Sequence, residues 1–483
     1  MSVIQLDEVE DHERFRAEMA SIASDGRRRW VYARQVHGFF TRWRTVLSWL
    51  LLGFLFLAPH VKIGGHQFLL FNILEREFVF FGIPFWPNDF YLVAVLFLTG
   101  IITVVLITAT VGRIWCGWLC PQTVFMEMVF RKIEWWIDGP PKQQALMHAG
   151  GWTSTRIWKT ALKIFVFFAI SFAIANTFLA YIISSDKLIA DVTDGPLQHV
   201  ELFVALVTFT FVFFMVFYRF REQACTIVCP YGRYMSALVD ESTIAITYDY
   251  KRGETRVKWN RDDTESKKDS IEKGLPVARA EGHGDCVDCH QCVTVCPTGI
   301  DIRNGIQLEC VSCTACIDAC DEVMDKVGLP QGLIRYTSLN NVENGSSSIV
   351  TPRIKAYFLI WLAMMGLVVT LFALRSDLDV VILRQEGTTW VQTADGTGNF
   401  YRLQIINKSS KDLDFSIRVL SPAGVQFKNL GLPSVVKSGE VMKGRFMLIA
   451  KSNSIAKTGT KVEIAILQKD EIVKTLLTSF VAP

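Results

Sequence analysis

The stretch Cys286–Cys320 decides how the rest of the chain is read. It runs CVDCHQCVTVCP from Cys286 to Pro297 and CVSCTACIDAC from Cys310 to Cys320, with thirteen residues between Cys296 and Cys310. Both are C-x2-C-x2-C-x3-C runs, a spacing in which the fourth cysteine of each run serves the other of two clusters. A cubane iron–sulfur cluster needs four thiolates converging on one centre, and x2 spacing lets three sulfurs of one tight loop do so. The spacing therefore predicts one [4Fe–4S] cluster on Cys286, Cys289, Cys292 and Cys320, and a second on Cys310, Cys313, Cys316 and Cys296. The second run lacks a proline after Cys320, which leaves the ligand set intact. Zinc ribbons pair two C-x2-C knuckles without crossed fourth ligands. Cys286–His290 also spells the C-x-x-C-H of haem attachment. Both of its cysteines are already claimed by the cluster run, so His290 reads as a loop residue near a cluster.

Composition sets the surroundings. Half of the 483 residues are hydrophobic, with 34 Phe and 13 Trp, and the mean hydropathy is positive, which points to a multi-domain membrane protein. The net charge of +3 gives no sign of nucleic-acid binding. All 12 cysteines fall in four clusters, unlike the dispersed cysteines of a disulfide scaffold. The first 40 residues are polar and charged, so no cleavable signal peptide is expected.

Five charge-free stretches are long enough to span a bilayer: Thr45–Val61, Phe90–Val111, Ile164–Ser184, Leu202–Tyr218 and Ala356–Leu374. Five such runs argue against buried core helices of a soluble protein and predict a five-helix α-helical bundle. Basic residues set its orientation. Arg27, Arg28, Arg29, Arg34, Arg42 and Arg44 precede the first stretch, and Arg113, Arg131, Lys132, Lys142, Arg156 and Lys159 follow the second. Arg219, Arg221 and Arg233 follow the fourth, whereas Asp186, Asp191 and Asp194 outnumber Lys187 between the third and fourth. This predicts a cytoplasmic N-terminus, a cytoplasmic two-cluster insert and a C-terminus on the far side.

The expected organisation is then a cytoplasmic tail over 1–44, four helices over 45–240, a charged linker over 241–285, the two-cluster domain over 286–340, and a fifth helix over 356–374. Gln67–Trp86, interrupted by Glu75, Arg76 and Glu77, reads as an outer-surface segment and not a span. Val124–Ile137 looks amphipathic, ends in Trp135 and Trp136 before Pro140-Pro141, and fits an interfacial helix. Over 376–483, alternating runs at Tyr401–Ile405, Phe415–Val419 and Val462–Ile466 are separated by turns at Asp395-Gly396, Ser421-Pro422 and Lys437-Ser438-Gly439. That pattern predicts an all-β sandwich, free of cysteines and suited to docking or assembly.

A second set of thiols repeats. Cys116-Gly-Trp-Leu-Cys120-Pro121 and Cys225-Thr-Ile-Val-Cys229-Pro230 each follow a spanning stretch, and Met126 and Met235 lie ten residues past each first cysteine. The two hairpins read as a duplication. Proline disfavours helical backbone at Cys120 and Cys229. The four thiols fit a soft-metal site, a further redox centre or a dithiol relay, against the alternative of inert buried cysteines. Met126 and Met235 are soft neighbours by chemistry and core packing by frequency. His60, His66 and His199 could ligate copper or haem, but read first as interface residues. No phosphate-binding loop, nucleophile elbow or dinucleotide fingerprint is present in the sequence.

The chain resembles the cytochrome c oxidase accessory proteins of the CcoG (FixG/RdxA) family. The resemblance lies in Gly112–Val124, Arg221–Cys225, Cys229–Arg233, Cys286–Cys320, Cys296–Gly305 and Gly332–Tyr336. It implies a multi-pass protein of the bacterial inner membrane, with an immunoglobulin-like sandwich in the periplasm, needed to build the cbb-type oxidase. The implied activity is reduction of Cu(II) to Cu(I), with copper as substrate or bound ion and Cys116, Cys120, Cys225 and Cys229 as copper or redox thiols. Copper chaperones or oxidase subunits are the implied partners, besides membrane lipid; the electron donor and any homo-oligomer stay open. Without the resemblance, the residues themselves lead to a membrane-anchored two-cluster electron carrier. A quinol-linked electron-transfer subunit and a non-redox assembly scaffold are the alternatives.

Overall fold

The computed structural model describes residues 22, 27–73, 77–85, 89–195, 197–259, 283–345, 350–376, 378–385, 390–393, 396–408, 412–437, 440–451, 459–468 and 471–482. Most of the N-terminal tail, the greater part of the charged linker, Glu75, Arg76, and the turn residues Asp395, Ser438 and Gly439 lie outside them. The chain divides into two compact units, Met1–Pro59 with Ala94–Leu367, and His60–Val93 with Val368–Pro483.

Five helices are long and apolar enough to cross a membrane: Phe39–His60, Phe90–Val111, Ser154–Ile183, Val200–Phe220 and Pro352–Ala373. Three differ from the apolar runs mainly at their starts. The first begins at Phe39, not Thr45, because Asp318 takes the free amides of its first turn: Phe40 N donates to Oδ1 at 3.1 Å and Thr41 N to Oδ2 at 2.7 Å. A carboxylate there satisfies orphan donors and complements the helix dipole. The third begins at Ser154, ten residues before its apolar run, where Thr153 caps the Arg156 amide. Helical hydrogen bonding does not stop where side chains turn polar.

In the first unit, the third and fourth helices pack through Ala175, Leu179, Ala180 and Leu206. Beneath them, Phe130 stacks on Phe217 with ring centres 4.4 Å apart and meets Phe167 edge-on at 4.7 Å. Met126 is buried in this aromatic cluster, and the side chain of Met235 is outside the description. The interfacial segment is a π-helical turn, Val124–Phe130, running into the α-helix Arg131–Asp138. Its polar face is buried, contrary to a solvated amphipathic helix. Glu134 accepts from Arg221 at 2.5 Å and Lys163 at 3.3 Å, and Asp138 accepts from Lys163 at 2.5 Å. Buried charges persist only when paired in this way.

The two-cluster domain starts before Cys286. Strand Ala245–Tyr248 pairs antiparallel with Ile334–Thr337, so residues expected in the linker close the domain's ends. Ile246 and Tyr248 pack with Cys286, Cys292, Ile317 and Ile334 in its core.

In the second unit, two antiparallel sheets share one core. One is ordered Val425–Asn429, Val441–Ala450, Gly396–Asn407, Leu378–Arg384, with Val391–Thr393 also on Gly396–Asn407; the other is Ser416–Ser421, Thr460–Gln468, Glu471–Phe480. Alternation places Tyr401, Leu403 and Ile405 inward, opposite Phe446, Leu448, Val462, Ile464 and Ile466. Tyr401 stacks on Phe446 and donates its hydroxyl to the Ser479 carbonyl at 2.8 Å. The expected outer-surface segment is a three-stranded meander, Leu69–Asn72, Glu77–Phe80 and Ile83–Phe85. It belongs to this unit, where buried Asp89 accepts from Lys408 at 2.5 Å and Arg375 at 3.1 Å.

Candidate metal centre

The two cysteine runs fold as copies of one another. In each triplet loop, the residues on either side of the middle cysteine have positive φ: Asp288 at 47° and His290 at 54° around Cys289, Ser312 at 53° and Thr314 at 65° around Cys313. Non-glycine residues rarely hold this conformation, which costs on the order of 1–3 kcal/mol each and gathers at functional sites. Four at matched positions turn both loops the same way, into the concave backbone form that receives iron–sulfur clusters elsewhere. Helices Gln291–Thr294 and Ala315–Val327 then lead to the fourth cysteines, Cys296 just past the first and Cys320 within the second.

The thiols fall into two neighbourhoods. Burial pushes Cys292 up to about 12, and Cys289 and Cys286 are among the charges facing it. Cys320 is also raised, by burial and then by Cys292, with Cys286 and Cys289 behind. In the other set, burial raises Cys310 to about 12, with Cys313 and Cys296 as its thiol neighbours. Burial raises Cys316 as well, followed by Cys313, Cys310 and Cys296, with Cys292 of the first set last. Cys296, Cys310, Cys313 and Cys316 line one small apolar cavity with Cys292, Ile300 and Ile302. The donor chemistry and loop form fit two thiolate-held clusters, which would bind as thiolates with release of protons. Those clusters would supply one-electron storage and transfer. His290 lies beside them with its Nδ1 2.8 Å from Arg303 Nη2, and Arg303 is clasped by Asp301 and Asp288.

The C-x3-C-P pairs also match. Cys120 and Cys229 are both extended, with φ/ψ of −64°/123° and −68°/115°, as a following proline requires. Each amide reaches back five residues at 2.9 Å, Cys120 to Trp115 and Cys229 to Ala224. The four thiols lie within electrostatic reach of one another. Burial pushes Cys116 up to about 12, Arg113 pulls against it, and Cys120, Cys229 and Cys310 add repulsion. Cys225 is likewise pushed up to about 12 by burial, then by Cys120, Cys116 and Cys229.

Backbone and arginine contacts join this group to the two-cluster domain. Arg113 spans the junction, donating to the carbonyls of Leu308 and Gly232. Gly117, between Cys116 and Cys120, lies so close to the loop 311–312 that a Cβ would stand 2.4 Å from the Ser312 oxygen. Arg44 bonds both sides, from Nε to Gly117 O at 3.0 Å and from Nη1 to Cys313 O at 2.8 Å. Among the described residues, no three His, Cys, Asp or Glu side chains are spaced to grip one metal ion. His199 faces Asp191 and Asp194 at 3.7 and 3.6 Å. Sequence reasoning missed Arg44, Arg113 and Asp318, whose partners lie 73 to 278 positions away. The arginines were legible only as topology signals.

Comparison with known proteins follows the same divisions. Residues 220–339 match a 4Fe–4S dicluster domain, 93–140 a 4Fe–4S binding domain, and 368–483 the Ig-like fold at the C-terminus of FixG. The chain is 33% identical to protein RdxA of Cereibacter sphaeroides over 91% of this chain and 93% of that one. It is 32% identical to the nitrogen fixation protein FixG of Rhizobium meliloti, over 81% and 79%, and 32% identical to protein RdxB of Cereibacter sphaeroides, over 91% and 93%. With its five apolar helices, this is a membrane iron–sulfur electron-transfer protein, and the chain belongs to the FixG/RdxA family.

Proposed function

We propose that this protein is a cupric reductase serving assembly of the cbb-type oxidase. In this reading Cys286, Cys289, Cys292 and Cys320 hold one [4Fe–4S] cluster, and Cys296, Cys310, Cys313 and Cys316 the other. Electrons pass from the second cluster to Cu(II) at Cys116, Cys120, Cys225 and Cys229. The observation that carries it is the close packing of Gly117, between Cys116 and Cys120, on the backbone of Val311 and Ser312 in the second cluster loop. Each Cu(II) takes one electron, and soft thiolates favour the Cu(I) product. This reading takes the N-terminus, clusters and thiols as cytoplasmic and the Ig-like domain as periplasmic, facing copper chaperones or oxidase subunits; the distribution of basic residues supports that orientation.

The test gives dithionite-reduced, desalted protein Cu(II) anaerobically and follows Cu(I) with a chromogenic chelator. Serine at all four C-x3-C-P positions should abolish copper reduction while leaving the iron–sulfur spectrum; unchanged reduction sinks the thiol assignment. The match of 93–140 to a 4Fe–4S binding domain favours a second reading, in which the four thiols hold a third cluster. Iron analysis separates the two, with about eight irons per chain for two cubanes and about twelve for three.

A further inference from the structure

An electron carrier needs a reductant, and the first unit has a cavity placed to receive one. A cavity of about 410 Å³, within the range of small-ligand sites, lies between the N-terminal end of the first spanning helix, the interfacial segment and the second cluster loop. Its lining includes Arg42, Arg44, Glu127, Lys132, Trp135 and Cys313. Three features set it apart from a solvated basic patch.

A proposed cluster ligand, Cys313, forms part of the wall, and Arg44 reaches from the wall to that residue's carbonyl. Lys132 makes no hydrogen bond or ion pair among the described residues. Burial, then the charge of Arg44, holds its ammonium below the usual lysine range, so it gains from an acceptor brought into the cavity. Val46, at the cavity's membrane end, also lines an apolar groove that runs along the same helix from Phe39 to Leu50, formed with Phe40, Trp43, Leu47 and Trp118. Polar head space continuous with an apolar channel fits an amphiphile. The cluster ligand in the wall favours one that carries electrons.

We propose that this cavity is the oxidation site for a membrane quinol, with the ring between Lys132 and Cys313 and the isoprenoid tail passing Val46 into the adjoining apolar groove. The inference rests on the two-cluster reading above. One quinol loses two electrons, one to each cluster, and its two O–H protons. The two protons leave to water through the open side of the cavity, past Glu127 and His37 in its lining. The quinone leaves by the groove, and the two reduced clusters then supply two one-electron reductions.

The test uses the full chain in nanodiscs of neutral phospholipid, without oxygen. Dithionite is added first; a chain that yields no reduced-cluster paramagnetic resonance overturns the cluster assignment and this proposal with it. A short-chain ubiquinol should then reduce the clusters of oxidised protein, and a hydroxyquinoline N-oxide analogue should lose its fluorescence on binding. K132Q should weaken analogue binding about tenfold, the worth of one charge-assisted hydrogen bond, and V46W, which fills the mouth, should abolish it. Both should keep the dithionite signal. Clusters that dithionite reduces but quinol does not, or analogue binding that neither substitution changes, overturn the quinol site alone. Displacement of the analogue by anionic phospholipid but not by quinol assigns the cavity to a lipid headgroup and overturns it too.

Discussion

Arg44, on the first spanning helix, donates from Nη1 to the carbonyl of Cys313 at 2.8 Å, while its Nε holds Gly117. One buried guanidinium thus ties the membrane helix, the thiol loop and the second cluster loop together. Replacing it with methionine leaves two carbonyls in a dry junction without donors. Such bonds to a charged donor are each worth about 1.5–3 kcal/mol. Arg44→Met should lower the denaturation midpoint of the purified protein and perturb the second cluster's resonance signal more than the first's. A variant with wild-type melting and unchanged spectra would show the contact to be incidental.

Gly117 tests the closeness of the two redox groups directly. A methyl at this position would stand 2.4 Å from Ser312 O and 2.7 Å from Val311 O, backbone atoms that cannot swing aside. Gly117→Ala should keep its cluster iron and slow electron delivery to Cu(II) at least tenfold, read by stopped-flow reoxidation. Full-rate reoxidation would place the electron exit elsewhere.

Asp318 joins the two-cluster domain to the membrane by capping the first spanning helix, and Thr41 Oγ1 adds a third bond at 2.6 Å. Asp318→Ala should cost about 1–2 kcal/mol, as for loss of a helix cap. Gly38 packs against the Asp318 side chain, so proteolysis should then speed up near residues 30–40. An unchanged cleavage pattern counts against the capping role.

The buried network under the bundle carries a pH signature. Burial works to raise Glu134, but Arg221 and Lys163 outweigh it and hold the carboxyl below its ordinary range. A carboxylate depressed in the folded state stabilises fully above the unfolded value, about 4.3, and the contribution fades as pH falls through the folded value. Glu134→Gln should therefore destabilise by about 3–5 kcal/mol at neutral pH, since it takes the carboxylate from buried Arg221, while Lys163 keeps Asp138. The gap from wild type should narrow only below about pH 4. Melting curves at several pH values decide this, and a gap that narrows between pH 5 and 7 contradicts it.

The cysteine ladder, the five spans and the repeated C-x3-C-P pairs were legible in the sequence because each is a local spacing. Periodicity and loop chemistry act within a few residues, and that is the range over which sequence reads reliably. Strand Ala245–Tyr248 reads as linker in the sequence because its partner, Ile334–Thr337, is some ninety residues away. The burial of Glu134 and Asp138 is not legible in the sequence because their cations are on other elements. The segment after the first span joined the C-terminal unit for the same reason.

By itself the sequence determined which residues can ligate and which can cross a bilayer, since thiol spacing and apolar length need no partner. Only the tertiary structure decided that Gly117 packs on the loop at Val311 and Ser312, that Arg44 and Arg113 bridge the cysteine-bearing loops, and that Lys132 and Cys313 line one cavity. Those relations depend on through-space distance between chain segments, which is set by packing of the whole unit and not by any local pattern.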